Sequence, residues 1–356
     1  MPKQNYTKNK PFFIAELLRW NKLDNQRIMP WKNEKDPYKI WISEIILQQT
    51  RVHQGLEYYN RFIKTFPTVQ HIAEAPESQV FKLWEGLGYY SRCKNIITSA
   101  TYISNKLHGK FPRDFNGILK LKGIGNYTAS AIASFAYNLP HPVLDGNVFR
   151  VLSRFFGIQT AIDNNAGKKI YSSLANELLD KKNPAIYNQA IMDFGATICK
   201  PKLPLCDACP LQQKCVALLN NMVSILPTKE KVITRKRRWL YYLLIECDNK
   251  LFVRKRVTKD IWQNLYEFVL IETVKPVSVE ALKNSQEFKK FFNSTPFAIT
   301  SISKIYKQQL THQTITGRFI RVSLEANINL KGYYLLSEDE IALLPFPKFI
   351  TTYFKD

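Results

Sequence analysis

Long apolar runs are missing from this chain of 356 residues: no stretch approaches the roughly 20 apolar residues that a membrane-spanning helix needs. The first ten residues, MPKQNYTKNK, are polar and basic and hold no apolar core for a secretory signal. Internal repeats and low-complexity tracts are absent as well. Together these absences predict a soluble, cytoplasmic protein. Acidic residues are scarce, 29 Asp and Glu against 51 Lys and Arg, for a net charge of +22. An anionic partner is therefore the first expectation. Residues 226–356 hold 22 Lys and Arg against 13 Asp and Glu, so the excess runs along the whole length and both parts should meet a polyanion. Cysteine is limited to six residues. With no secretory context, a disulfide framework is the weaker explanation for them. Cys93 and Cys247 are expected to be free, buried thiols.

What is present divides into two textures. Residues 10–220 show apolar residues at helical spacing in about ten short segments, among them Phe12–Leu18, Ile40–Val52, Tyr58–Phe66, Ala129–Tyr137, Val148–Phe156 and Tyr187–Ile198. Turn signals such as Gly109-Lys110-Phe111-Pro112 separate them. Residues 1–225 are therefore expected to form an all-helical domain. Residues 226–238 (LPTKEKVITRKRR) are polar and basic and are expected to be a linker. Beyond it, Trp239–Glu246, Leu251–Arg256, Tyr266–Glu272 and Phe319–Leu324 look like strands, with helical patterns at Ser278–Phe292 and Ser337–Leu344. Residues 239–356 are expected to be a small α+β domain.

Four of the cysteines, Cys199, Cys206, Cys209 and Cys215, fall in the spacing C-x6-C-x2-C-x5-C. Thiolates repel one another, so four together need a cation. A four-thiolate zinc and a [4Fe–4S] cluster are the two candidates. The wide flanking gaps favour the larger object modestly, and spacing alone leaves both open.

Three further features could carry chemistry. Gly123 and Gly125, in LKGIGNYTA (121–129), make a tight turn between helical segments, where backbone amides can hold a phosphate without reading sequence. Glu44 has Ile40, Trp41, Leu47 and Gln48 as its helical neighbours. An apolar setting disfavours the charged carboxyl and equips it as a proton donor near neutrality. Asp145 precedes a helix starting near Asn147, so it reads first as an N-cap. Amides at a helix start would keep that carboxylate ionised. One neutral and one charged carboxyl is the pairing that glycosidic cleavage uses.

In order, SEIILQQT (43–50), WEGLGYYSR (84–92), LKGIGNYTA (121–129), VLDGNV (143–148) and the four-cysteine loop resemble the adenine DNA glycosylases of the MutY family, within the endonuclease III superfamily. The resemblance is close over residues 10–220 and only in outline beyond. It implies a mainly α, helix-hairpin-helix glycosylase fold with a [4Fe–4S] loop on the four cysteines, followed by a C-terminal Nudix-like α+β domain. It also implies a monomer acting at the nucleoid on double-stranded DNA with A:8-oxoguanine or A:G mispairs. Glu44 would protonate N7 of a flipped adenine and Asp145 would stabilise the cationic sugar, with Tyr127 and Asn147 lining the site. Trp31, Lys32 and Gln189 would shape the adenine pocket. Gln49, Thr50, Leu87 and Tyr89 would surround the opposite base, Tyr89 as a wedge in the stack. The segment Leu310-Thr311-His312-Gln313 resembles the family's Phe-Ser-His loop, so Thr311 and His312 would face 8-oxoguanine. Relatives that also cut the strand carry a lysine where this chain has Tyr127, and a phenol cannot form a Schiff base. The C-terminal part lacks the glutamate-rich Nudix box, so pyrophosphatase activity is not expected. An oxidised-pyrimidine glycosylase with lyase activity and a non-enzymatic, metal-stapled DNA-binding module are the alternatives.

Overall fold

The computed structural model describes residues 6–29, 31–231, 234–292, 295–326 and 328–356. Its residues group into two compact units, 1–70 with 98–231 and 71–97 with 232–356. Within the expected linker, Val232 and Ile233 lie outside the described residues, and Leu226 is buried.

Twelve α-helices precede the first strand among the described residues: α1 (Lys10–Leu23), α2 (Pro37–Leu47), α3 (Val52–Thr65), α4 (Val69–Glu74), α5 (Glu77–Trp84) and α6 (Tyr90–Lys106), then α7 (Phe115–Leu119), α8 (Asn126–Tyr137), α9 (Gly146–Phe156), α10 (Asn165–Leu178), α11 (Pro184–Thr197) and α12 (Val216–Leu219). Local chemistry sets several starts. Asp36 accepts from the Tyr38 amide at 2.9 Å with Pro37 at the first helical position, so α2 begins there. Asn164 caps α10 in the same way through Gly167. The apolar pattern over Ile40–Val52 is not one helix. Helix α2 stops at Leu47, Gln49 has a left-handed backbone (φ 57°), and α3 starts at Val52. Apolar spacing continues across this break, which is why periodicity does not reveal it.

One core of the helical unit joins α1 to α9, α10 and α11, through Phe13, Leu17 and Trp20 against Phe155, Tyr171, Leu174 and Phe194. Helices α9 and α11 approach closely because residue 195 is glycine: a Cβ there would sit 2.7 Å from Asn147 Cβ. That contact fixes the start of α9, where Asp145 and Asn147 stand.

Among the described residues the second unit is built on a seven-stranded mixed sheet: β1 (Lys236–Cys247), β2 (Lys250–Lys255), β3 (Tyr266–Thr273), β4 (Phe297–Ile302), β5 (Tyr306–Gln309), β6 (Gln313–Leu324) and β7 (Tyr334–Leu336). The order is β4-β6-β1-β3-β2-β7, with β5 also paired to β6; β1 and β6 run parallel and the other pairs antiparallel. The unbroken apolar run of β1 follows from cover on both faces. Tyr241, Leu243 and Ile245 pack with Phe288 and Phe292 of α14 (Gln286–Phe292), which follows α13 (Val279–Asn284). On the other face Tyr242 stacks on Phe319, which meets Phe349 of α16 (Lys348–Tyr353), the helix after α15 (Glu338–Ala342). Strands β4, β5 and β7 were not evident from sequence; they are short and half exposed. Among the described residues no helix is long and apolar enough to cross a membrane.

Candidate active site

A cavity of about 320 Å³ opens in the helical unit. Of the residues singled out from sequence, Glu44, Tyr127, Asp145, Asn147, Trp31, Lys32, Thr50 and Gln189 line it. Three elements converge there: α2 supplies Glu44, the first turn of α8 supplies Tyr127, and the start of α9 supplies Asp145 and Asn147.

Glu44 is buried (6% exposed). Burial raises its pKa to about 7; the Tyr127 hydroxyl, hydrogen-bonded to the carboxylate, pulls it down, and the Asp145 charge adds to the rise. Tyr127 is itself pushed far up, first by burial and then by the two carboxylates, so it stays a phenol and donates. Asp145 caps α9: Oδ1 accepts from the Val148 amide at 2.7 Å and Oδ2 from Asn147 Nδ2 at 2.6 Å. Sequence predicts that these amides hold Asp145 ionised. They do oppose protonation, as does Arg150, yet burial outweighs them and the net direction is upward. Asp145 thus needs its hydrogen bonds simply to offset the loss of water.

Arg150 was not visible as a functional residue in sequence. Its Nη2 donates to Asn147 Oδ1 at 2.8 Å and to the Gly195 carbonyl at 2.6 Å, and its Nε donates to the Cys199 carbonyl at 2.7 Å. Asp193 was equally hidden. Its fully buried carboxylate takes Arg27 Nη1 at 2.8 Å, Gln189 Nε2 at 2.9 Å and Lys32 Nζ at 3.1 Å. Lys32 and Gln189 are therefore both oriented by one anion. Trp31 meets Tyr59 edge-on at 5.4 Å. Gln49 is exposed and does not line the cavity.

Gly123 and Gly125 lie in the turn between α7 and α8. Gly123 has φ 81°, which favours glycine, and Gly125 is the N-cap of α8 with no side chain capping it. Ser99 Oγ donates to the Lys122 carbonyl at 3.0 Å and pins the turn.

In the second unit, Leu87 is buried while Tyr89 is 41% exposed and has φ 49°. The Tyr89 hydroxyl is hydrogen-bonded to Thr311 Oγ1, and Arg92 lies over the Tyr89 ring at 5.3 Å. Thr311 and His312 form the two-residue turn between β5 and β6, closed by the Leu310 amide on the Gln313 carbonyl at 2.7 Å.

Cys199, Cys206, Cys209 and Cys215 line one small cavity together with Arg154, Ile198 and Leu218. Arg154 Nη1 reaches Cys199 Sγ at 3.5 Å and the Lys200 carbonyl at 2.8 Å. Burial, then the neighbouring sulfurs, push the thiols of Cys206, Cys209 and Cys215 up, Cys209 to about 12. Among the described residues no set of His, Cys, Asp or Glu side chains is arranged to hold a metal ion. Four thiols facing one cavity lined by Ile198, Leu205, Leu218 and Val223, with Arg154 beside Cys199, are a donor set that a thiolate-bound group would use. Cys93 and Cys247 are buried and free, as expected.

Residues 42–177 match the profile of the HhH-GPD superfamily of base excision DNA repair proteins. That span holds Glu44, the Gly123–Gly125 turn and Asp145. The adenine DNA glycosylase of Buchnera aphidicola subsp. Baizongia pistaciae is 34% identical over 343 residues, covering 94% of each chain. The chain belongs to the adenine DNA glycosylase family. A second member, from Buchnera aphidicola subsp. Schizaphis graminum, is 38% identical over 276 residues, 77% of this chain and 79% of that one. Among solved structures, a thermostable thymine-DNA glycosylase aligns with a TM-score of 0.56 at 28% identity, covering 61% of this chain and 99% of its own. The helix-hairpin-helix fold of the superfamily is thus the fold of the helical part, with α7 and α8 flanking the glycine turn. The mixed sheet and its helices form the α+β part of this chain.

Proposed function

We propose that this protein is a monofunctional DNA N-glycosylase that releases adenine mispaired with 8-oxoguanine or guanine, as the first step of base excision repair. The observation that carries the reading is the meeting of Glu44, Tyr127 and Asp145 in one cavity. Glu44 has a pKa raised to about 7 and can be protonated under working conditions. It protonates N7 of an extruded adenine, so the base departs as a neutral leaving group. As the C1′–N9 bond breaks, positive charge develops on the sugar. Asp145, fixed by Asn147 and the Val148 amide, stabilises that charge until water adds at C1′. Tyr127 orients Glu44 and offers no amine, so strand scission through a Schiff base has no nucleophile at this position.

Trp31, Lys32 and Gln189 hold the base, and the net charge of +22 supports binding to double-stranded DNA. The Gly123–Gly125 turn serves a backbone phosphate. Gln49, Thr50, Leu87, Tyr89, Thr311 and His312 serve the opposite base. Cys199, Cys206, Cys209 and Cys215 hold a [4Fe–4S] cluster, which supplies a rigid staple for a loop that meets DNA. Residues 1–225 act as the glycosylase domain and 239–356 as the Nudix-like domain that recognises the lesion.

The test is an end-labelled duplex with one A:8-oxoguanine pair. Alkali-labile abasic sites should form with the wild type and not with Glu44→Gln. Absence of abasic sites with the wild type, or equal rates for the two proteins, would end the proposal.

A further inference from the structure

We propose that Asn188 is a positioning residue that sets Asp145 against Glu44, an inference that rests on the role given to Asp145 above. Asn188 sits on α11, 1% exposed, beside Gln189 but outside the cavity lining. It makes three hydrogen bonds. Its Oδ1 accepts from the Val143 amide at 3.1 Å, and its Nδ2 donates to the His141 carbonyl at 2.9 Å and to Ser134 Oγ at 2.9 Å. His141 and Val143 belong to the connection between α8 and α9 that ends at Asp145. Ser134 belongs to α8, the helix whose first turn holds Tyr127.

The first part of the connection is tied to α8 through the Asn138 and Leu139 amides and to itself through the His141 amide on the Leu139 carbonyl; the part nearer Asp145 is held differently. Pro140 and Pro142 carry no amide hydrogen, and Val143, two residues before Asp145, has its amide turned to Asn188. One carboxamide, carried by α11, therefore holds the strand of chain that delivers Asp145 at the His141 carbonyl and the Val143 amide, and reaches Ser134 of α8 as a third bond. Only a side chain with both a donor and an acceptor satisfies the carbonyl and the amide together. An apolar replacement leaves the buried Val143 amide and the part-buried His141 carbonyl without Asn188, and the connection must shift to find partners. A displacement of Asp145 by about 1 Å would cost about 100-fold in rate.

The experiment uses the full chain and compares wild type, Asn188→Ala, Asn188→Asp and Ser134→Ala. Three quantities are read: single-turnover adenine release from the A:8-oxoguanine duplex, duplex affinity, and hydrogen exchange of the backbone over residues 138–145. Asn188→Ala should slow release by about 10- to 100-fold. Its duplex affinity should stay at the wild-type value, and faster exchange should be confined to 138–145. Ser134→Ala removes the third bond alone and should keep the wild-type rate. Asn188→Asp should close its gap to wild type as pH falls, because the protonated acid regains a donor for the His141 carbonyl.

Wild-type release by Asn188→Ala overturns the proposal, as does exchange that quickens throughout the helical unit with release falling in parallel. If wild type itself releases no adenine, the functional reading fails. Unchanged exchange over 138–145 in Asn188→Ala would then overturn the positioning claim separately.

Discussion

Asn147 donates to Asp145 across 2.6 Å, and with its other end accepts from Arg150 at 2.8 Å. The orientation of the anionic residue is thus borrowed from an arginine that also holds the Cys199 carbonyl and the Gly195 carbonyl. Replacing Arg150 by methionine leaves these two acceptors and Asn147 without their donor. A loss of about 1.5–3 kcal/mol in stability is expected for each charged hydrogen bond not replaced by water. Arg150→Met should slow adenine release and also raise the reactivity of the four cysteines towards a thiol reagent. A variant that slows release while thiol reactivity stays at the wild-type value would separate the two roles.

Glu44 gives a pH dependence with a definite sign. As the proposed acid, it is half protonated at its pKa of about 7. Single-turnover release should therefore fall as pH rises above about 7, towards about tenfold per pH unit. Tyr127 donates to the ionised carboxylate and lowers that pKa. Tyr127→Phe removes the donor, so the falling limb should move to higher pH. A limb that stays in place in Tyr127→Phe, or moves down, would show that another group is titrating.

Much of this site is legible in sequence, and the remainder is hidden for identifiable reasons. Glu44 and Asp145 stand out because their neighbours differ so sharply: an apolar helix face for one, a helix start for the other. Sequence does not weigh burial against capping, so the upward direction at Asp145 needs coordinates. Asp193, Arg150 and Asn188 read as ordinary polar residues on helices. Asn147 and Gln189 stand at helical spacing from Arg150 and Asp193, but the remaining partners are distant in the chain, as Arg27 is from Asp193 and Cys199 from Arg150, and no period or motif brings such pairs together. The same holds for Thr311: the turn that presents it depends on β5, a strand of four residues with too little pattern to be seen.

Asp193 orients both Lys32 and Gln189, so it should act on base selection more than on sugar chemistry. Asp193→Asn keeps the shape and removes the anion from beside Arg27 and Lys32. Both cations are partly exposed, so the protein should still fold. The ratio of release rates for adenine against a purine lacking the exocyclic amine should shrink, measured under single turnover. Equal loss for both bases would instead assign Asp193 to general support of the pocket.

Tyr89 holds a left-handed backbone, which a bulky residue rarely adopts and which costs of order 1–3 kcal/mol. Its hydroxyl is tied to Thr311, and Arg92 covers its ring, so the strain is held by two neighbours. Thr311→Val keeps the side-chain volume and deletes the hydroxyl. If Thr311 and Tyr89 together read the opposite base, release from A:8-oxoguanine should slow while release from A:G stays near its own wild-type rate, since only the first partner offers the lesion's added hydrogen-bonding groups. The ratio of the two rates is the quantity to measure. Thr311→Ser, which restores the hydroxyl without the methyl, should return that ratio to the wild-type value. Should Thr311→Val slow both substrates equally, the hydrogen bond to Tyr89 holds the loop and carries no discrimination.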